Sequence, residues 1–299
     1  MKSNAKIALI GSNGMLGQRV KAALPTHIQT TELNFPEFDF LKPSGMLKAL
    51  RDFAPDVIIN CSAFTAVDDC EKEEAVANRI NGEGPGLLAQ FARTTGSVLV
   101  HISTDYVFDG RSSTPYRESD STAPQSAYGR SKLAGEKAVL DSGLKRFFIV
   151  RTSWLYGLGG HNFVETILRL AGEREELRIV ADQVGSPTLT DDLAEAIFRL
   201  LATGEYGVYH FSNEGFCSWY EFACAIVQGA RDRGLELPVK QILPIATADY
   251  PLPAPRPAYS LLSKEKYREK TGQEIPDWRA GLNRYLDWRI KKDVSKGGS

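Results

Sequence analysis

Residues 6–17 read Lys6-Ile7-Ala8-Leu9-Ile10-Gly11-Ser12-Asn13-Gly14-Met15-Leu16-Gly17. The first five form a short apolar run of the kind that makes a strand covered on both faces. Gly11, Gly14 and Gly17 follow at once, and an amphipathic stretch, 15–23, opens inside them. Glycine suits such a place for three reasons: the turn is tight, the helix must pack closely on the strand, and the backbone must let a pyrophosphate approach. The phosphates would then meet the unpaired N–H groups at the positive end of the helix. A glycine-rich turn without a ligand would share this spacing, so the surroundings decide. Glu32 lies 32 − 11 = 21 positions beyond the first glycine, at the end of the next strand-like run. An acid about 20 residues on is placed to receive the adenosine ribose hydroxyls. It would repel a 2′-phosphate, which favours NADH over NADPH.

Outward from this turn the alternation repeats. Apolar runs at 57–60, 98–102 and 147–150 each follow an amphipathic stretch, at 43–53, 84–94 and 126–141. That rhythm predicts an α/β protein with a Rossmann-type doubly wound parallel sheet. It loosens after about residue 152. Further helices are predicted at 162–171, 190–201, 218–234 and 278–289, while 250–257 reads YPLPAPRP, in which the prolines forbid a helix or central strand. The reading is a nucleotide-binding domain over 1–152, to which a segment near 185–212 returns. A smaller, discontinuous α/β lobe for the substrate spans 153–290, and 291–299 is a charged, Gly/Ser-containing tail.

The composition excludes several functions. Across 299 residues, 36 Lys+Arg against 37 Asp+Glu leave a net charge of −1, so no global field attracts nucleic acid or an anionic membrane. No apolar run approaches a membrane span, and the apolar start is too short for a signal peptide. A cytoplasmic protein is expected. Cys61, Cys70, Cys217 and Cys224 are too few and too irregular for a disulfide framework or a zinc site, and His27, His101, His161 and His210 form no ligand motif.

Of the eleven tyrosines only Tyr128 is followed four places later by lysine, Lys132. That step puts both side chains on one helix face. An ammonium beside a phenol lowers the phenol's pKa, which suits Tyr128 to give a proton to a carbonyl oxygen. Lys132 would also hold the nicotinamide ribose. A hydroxyl is wanted where the strand at 98–102 ends, and there the chain reads Ser103-Thr104-Asp105. Thr104 can position the substrate carbonyl; Ser103 is its rival, and either could cap a turn.

The spacing G-x-x-G-x-x-G with Tyr-x-x-x-Lys resembles the extended short-chain dehydrogenase/reductase superfamily. Further stretches narrow the resemblance: PDVIINCSAFTAVDDCE at 55–71, STDYVFDG at 103–110, YGRSKLAGE at 128–136, RTSWLYG at 151–157, DQVGSPT at 182–188 and RPAYS at 256–260. Together with GSNGMLG at 11–17 they resemble the dTDP-4-dehydrorhamnose reductase family along nearly the whole chain. The resemblance implies reduction of the C4 carbonyl of dTDP-4-dehydro-6-deoxy-L-mannose to dTDP-L-rhamnose for cell-surface polysaccharide. It implies Tyr128 as proton donor, Lys132 as its partner and Thr104 as the tuning hydroxyl. Gly11, Asn13, Gly14, Met15, Leu16, Gly17, Glu32, Asp39, Phe40, Ala63, Phe64, Thr65, Tyr128 and Lys132 would line the NADPH or NADH cofactor. Thr104, Asp105 and Trp154 would touch the sugar nucleotide. Bare alternatives are a turn acceptor for Asp105, a core aromatic for Trp154 and a helix-preceding cap for Asp39.

Magnesium at a subunit contact also belongs to the resemblance, but the first helix carries Gln18 and Arg19 where carboxylates would be needed, so the sequence supports no metal. A homodimer is simply the commonest soluble oligomer. Arg174, Arg178 and Arg256 are the cations on hand for a diphosphate. Thr104 is followed by Asp105-Tyr106, without the glutamate a 4,6-dehydratase needs, which favours plain reduction. An epimerase would keep its nicotinamide bound through the cycle, whereas a reductase must exchange it. A non-catalytic relative, the regulatory subunit of methionine adenosyltransferase, resembles the same family and is the alternative from another class.

Overall fold

Alternation along the first strand sets the layers. Ile7 and Leu9 face one side with Leu16, Val20, Leu193 and Ile197, while Ala8 and Ile10 face the other with Met46, Leu50, Leu88 and Val139. All are buried, as expected of a sheet covered by helices on both faces. The computed structural model describes residues 5–296, with side chains through residue 290.

The first half of the chain runs β1 (Lys6–Ile10), α1 (Met15–Ala23), β2 (Gln29–Leu33), α2 (Pro43–Phe53), β3 (Val57–Asn60), α3 (Val67–Lys72), α4 (Glu74–Ala77), a π-helical turn (Asn78–Glu83), α5 (Gly84–Thr95), β4 (Val98–Thr104), α6 (Ala127–Asp141) and β5 (Phe147–Thr152). The chain continues with β6 (Leu155–Tyr156), α7 (Phe163–Glu173), β7 (Glu176–Val180), β8 (Val184–Gly185), β9 (Thr188–Leu189), α8 (Thr190–Thr203) and β10 (Gly207–His210). The remaining elements are β11 (Cys217–Ser218), α9 (Trp219–Arg231), β12 (Gln241–Ile245), α10 (Glu265–Thr271) and α11 (Trp278–Lys296).

Six strands form one parallel sheet in the order β10-β5-β4-β3-β1-β2. The order reverses between β1 and β3, so the crevice opens at their carboxyl ends, the place where doubly wound sheets take ligands. Among the described residues β2 is the sheet's other edge, and the chain leaves it through turns over 34–42. The chain comes back to the sheet late: α8 covers one face and β10 is its edge.

The second lobe has its own core, built from Ile167 of α7, Phe222 and Ile226 of α9, Leu177 of β7 and Trp278, Leu282 and Leu286 of α11. Small sheets complete it: β12 with β7, β11 with β8 and β6 with β9. The tail expected from 291 onward is helical instead: α11 runs on to Lys296, and 297–299 lie outside the described residues. Trp278, Leu282, Tyr285, Leu286 and Ile290 seat this helix in that core.

Candidate active site

The glycine turn is built to let backbone approach backbone. Gly11 has φ +73°, where a side chain would be strained, and a β-carbon on Gly17 would lie 2.0 Å from the Gly11 carbonyl oxygen. The first turn of α1 carries no acid, and its N-cap, Gly14, offers no side-chain acceptor. Those free N–H groups fit an anionic pyrophosphate. Leu16 is buried in the core and Asn13 is exposed beside the turn, its N–H donating to Asn34 at 3.2 Å.

Glu32 is engaged within the protein. Ser12 donates to it at 2.8 Å and Lys21 pairs with it at 2.7 Å, both holding its carboxyl below the usual range. Asp39 caps its own turn, accepting from the Leu41 N–H at 2.8 Å, and Phe40 is buried against Gly84. The loop of Ala63, Phe64 and Thr65 leaves the end of β3 and is clipped by Asn81, whose amide exchanges bonds of 2.8 and 2.9 Å with the Phe64 backbone and donates to Ser131 at 3.0 Å. Asn81, in the π-helical turn, thus ties this loop to α6 beside Lys132; nothing in the sequence pattern singles it out. A second unexpected wall is 157–162, where Asn162 bonds the carbonyls of Gly157 and Gly160 and Gly160 packs on Met15.

At the carboxyl ends of β4 and β5 the side chains take over. Ser126 caps α6, accepting from the Gly129 N–H at 3.1 Å, and Glu71 accepts from the Ala127 N–H at 2.7 Å. This fixes Tyr128 in the first turn, half-buried, edge-on to Tyr106 with ring centres 5.4 Å apart. The rivalry between hydroxyls resolves through strand alternation: Ser103 turns inward and donates to Glu136 at 2.5 Å, whereas Thr104 faces the Tyr128 side and donates to Asp105 at 2.9 Å. Burial pushes the Asp105 carboxyl up to about 7.

One electrostatic expectation is corrected. Lys132 was expected to depress the Tyr128 phenol, but burial pushes that phenol upward, reinforced by Asp105 and opposed by Thr104. The Lys132 ammonium instead donates to the Ile102 carbonyl at 2.6 Å. The phenol is therefore protonated at neutral pH, the form that can donate, although burial makes it a weaker acid.

Trp154 adopts φ +47° and stacks on Trp219 at 3.4 Å between ring centres, with Gly185 against its ring. Trp219 and the buried pair Glu136 and Arg151 were missed because their partners are distant in sequence. Arg256 is committed to Asp68 through bonds of 2.5 and 2.8 Å, closing the proline-rich segment onto α3. Arg174 and Arg178 are exposed, at the end of α7 and on β7. Gln18 donates to the Asn13 and Gly159 carbonyls and Arg19 pairs with Asp191 at 2.7 Å. Among the described residues no group of three or more His, Cys, Asp or Glu is placed to hold a metal ion, and no helix is long and apolar enough to cross a membrane.

A family model described as "RmlD substrate binding domain" matches residues 5–290. The dTDP-4-dehydrorhamnose reductase of Burkholderia thailandensis is 44% identical over 92% of this chain and 95% of its own. The chain belongs to the dTDP-4-dehydrorhamnose reductase family. The Escherichia coli reductase is 38% identical over 94% of this chain and 97% of its own. The crystal structure of the Bacillus anthracis reductase in complex with NADP superposes with a TM-score of 0.90 at 39% identity, covering 95% of this chain and 99% of that one.

Proposed function

We propose that this chain reduces the C4 carbonyl of dTDP-4-dehydro-6-deoxy-L-mannose, with NADH or NADPH, to give dTDP-L-rhamnose. The observation that carries it is the meeting of Tyr128 and Thr104 at the carboxyl edge of the sheet, with Lys132 one turn behind and the glycine turn two strands away. A reduced nicotinamide, when bound, supplies the hydrogen that C4 gains. Gly11, Gly14 and Gly17 with the first turn of α1 hold its pyrophosphate, and Glu32 receives the adenosine ribose. Asp39, Phe40 and the Ala63–Phe64–Thr65 loop line its path, and Lys132 binds the nicotinamide ribose. Thr104 holds the substrate carbonyl beside Tyr128, whose phenol passes its proton to O4. Asp105 and Trp154 contact the sugar nucleotide, which lies against the lobe formed mainly by 153–290.

Two finer choices follow. Glu32 stays ionised and favours NADH, while Lys21 beside it tempers the repulsion of a 2′-phosphate so that NADPH is also used. Gln18 and Arg19, both engaged within the protein, put no carboxylate on the first helix for the magnesium that the resemblance allows. Spectrophotometric turnover of the keto-sugar nucleotide with each cofactor, with and without a chelator, tests all of this. Tyr128→Phe should lower kcat by about 10²–10⁴-fold and leave cofactor affinity within about twofold. A wild-type protein that binds NADH but consumes none with this substrate would favour the non-catalytic alternative.

A further inference from the structure

On α6 a third residue falls on the face of Tyr128 and Lys132, one turn further on: Glu136, almost wholly buried. An interior carboxylate persists only with partners. It has three bonds from Arg151, of 2.7, 2.9 and 3.2 Å, and the 2.5 Å bond from Ser103. Ser103 and Arg151 are register partners on β4 and β5, next to Thr104 and Thr152. One carboxylate therefore clamps the catalytic helix onto the ends of both strands. Arg151 is held in turn: its guanidinium lies 5.1 Å over the Phe108 ring, and one nitrogen is 3.3 Å from His210 Nε2. Burial pushes His210 down to about 3, so it is neutral; its Nδ1, 3.0 Å from the Tyr116 carbonyl, carries the hydrogen and leaves Nε2 to accept.

A buried ion pair is often no more stabilising than an apolar pair of the same shape, so its presence here asks for a further reason. Lys132 supplies one. Burial pushes its ammonium down to about 8, opposed first by Glu136 and then by Cys61. The groups facing it are Glu136 from its own helix, Cys61 from the end of β3 and His101 from β4. Burial pushes the Cys61 thiol up to about 12, and burial with the Lys132 charge keeps His101 neutral, so at physiological pH both are uncharged. Of these three Glu136 is the one held in an ion pair, with Arg151 at 2.7 Å.

We propose that Glu136 is a positioning residue whose carboxylate, fixed by Ser103 and Arg151, keeps Lys132 charged and in register with Tyr128. The proposal rests on the reductase reading, and its test is chosen to separate the two. Glu136→Gln removes the charge and keeps an acceptor for Ser103. Because it strands the Arg151 charge, it is made together with a second variant, Glu136→Gln/Arg151→Met. In cofactor-free protein the Lys132 side chain is titrated by NMR of lysine labelled at the ε-carbon, its signal assigned by loss in Lys132→Met. Both variants should lower the Lys132 midpoint by about one pH unit or more relative to wild type. With saturating cofactor the alkaline limb of kcat should move down with it, and KM for the sugar nucleotide should stay within about twofold. A merely structural clamp would lower kcat at every pH and leave the midpoint where it was. An unmoved midpoint in the double variant overturns the proposal. A wild type without turnover overturns the reductase reading, and the NMR midpoint then judges Glu136 by itself.

Discussion

At β1 the crevice is walled by main chain, whereas at β4 and β5 it is walled by buried side chains that carry charge. The first end consists of Gly11, Gly17 and the uncapped start of α1, and its specificity is a matter of closeness: a carbonyl and a helix where a methyl group would not fit. The second consists of Thr104, Asp105, Tyr128, Lys132, Glu136 and Arg151, nearly all buried and tied by hydrogen bonds. The two ends therefore fail differently. A steric wall breaks at once when a side chain is added, while a charged one shifts its proton equilibria first.

The largest effect on cofactor binding is expected at the steric end. The Gly17 β-carbon position is 2.0 Å from the Gly11 oxygen and 2.7 Å from the Ser12 α-carbon, backbone atoms that cannot swing away as a flexible side chain would. Gly17→Val should weaken NADH binding, followed by fluorescence titration, by at least about 100-fold, and lower the thermal midpoint by several degrees. Binding within tenfold of wild type would mean that this turn does not hold the cofactor.

The same contrast governs what the sequence could convey. The glycine turn and the Tyr128–Lys132 step are local, set by spacing along one helix or turn, and each stood out as a pattern. The charged end depends on pairs such as Glu136 with Arg151, 15 residues apart across a strand, or Arg256 with Asp68, 188 apart, and no periodicity reports such meetings. Even where the residues were visible the sign was not: Lys132 was read as lowering the Tyr128 phenol because burial, which pushes it up, is a property of the assembled fold. Ser103 and Thr104 looked interchangeable until strand alternation sent the first to Glu136 and the second to the Tyr128 side.

At the charged end, Asp105 gives a pH signature. In an unfolded chain its carboxyl titrates near 3.8, and in the fold burial holds it to about 7. Between those values the unfolded chain releases a proton that the native protein keeps, so this group makes stability fall as pH rises from 4 to 7. Asp105→Asn removes the dependence. In urea unfolding, the stability of the variant relative to wild type should grow by about 2 kcal/mol or more between pH 4 and pH 8. A constant difference across that range would show that Asp105 is ionised in the fold.

Smaller effects belong to contacts that are partly open to solvent. The Arg256–Asp68 pair also takes the Ala254 N–H at 3.0 Å, fastening the segment 250–257 beside Tyr106. Asp68→Asn should release it at a cost of about 1 kcal/mol, seen as severalfold faster proteolysis within 250–257 with cofactor affinity unchanged. Loss of NADH binding in this variant would erase the separation drawn between the two ends.

The smallest effect lies at the rim of the steric end, where charge enters after all. Lys21 and Glu32 are both substantially exposed, so their 2.7 Å pair is screened by salt and contributes little to stability. Its consequence is for choice of cofactor. Removing the cation leaves the Glu32 charge facing the ribose end unopposed, so Lys21→Ala should shift the ratio of kcat/KM for NADH over NADPH upward by about twofold to fivefold, an effect that shrinks as ionic strength rises. Glu32→Ala should move the ratio the other way. If both variants move it in the same direction, the acid and its lysine act on the turn's shape and not through their charges. The rim would then be steric like the wall beneath it.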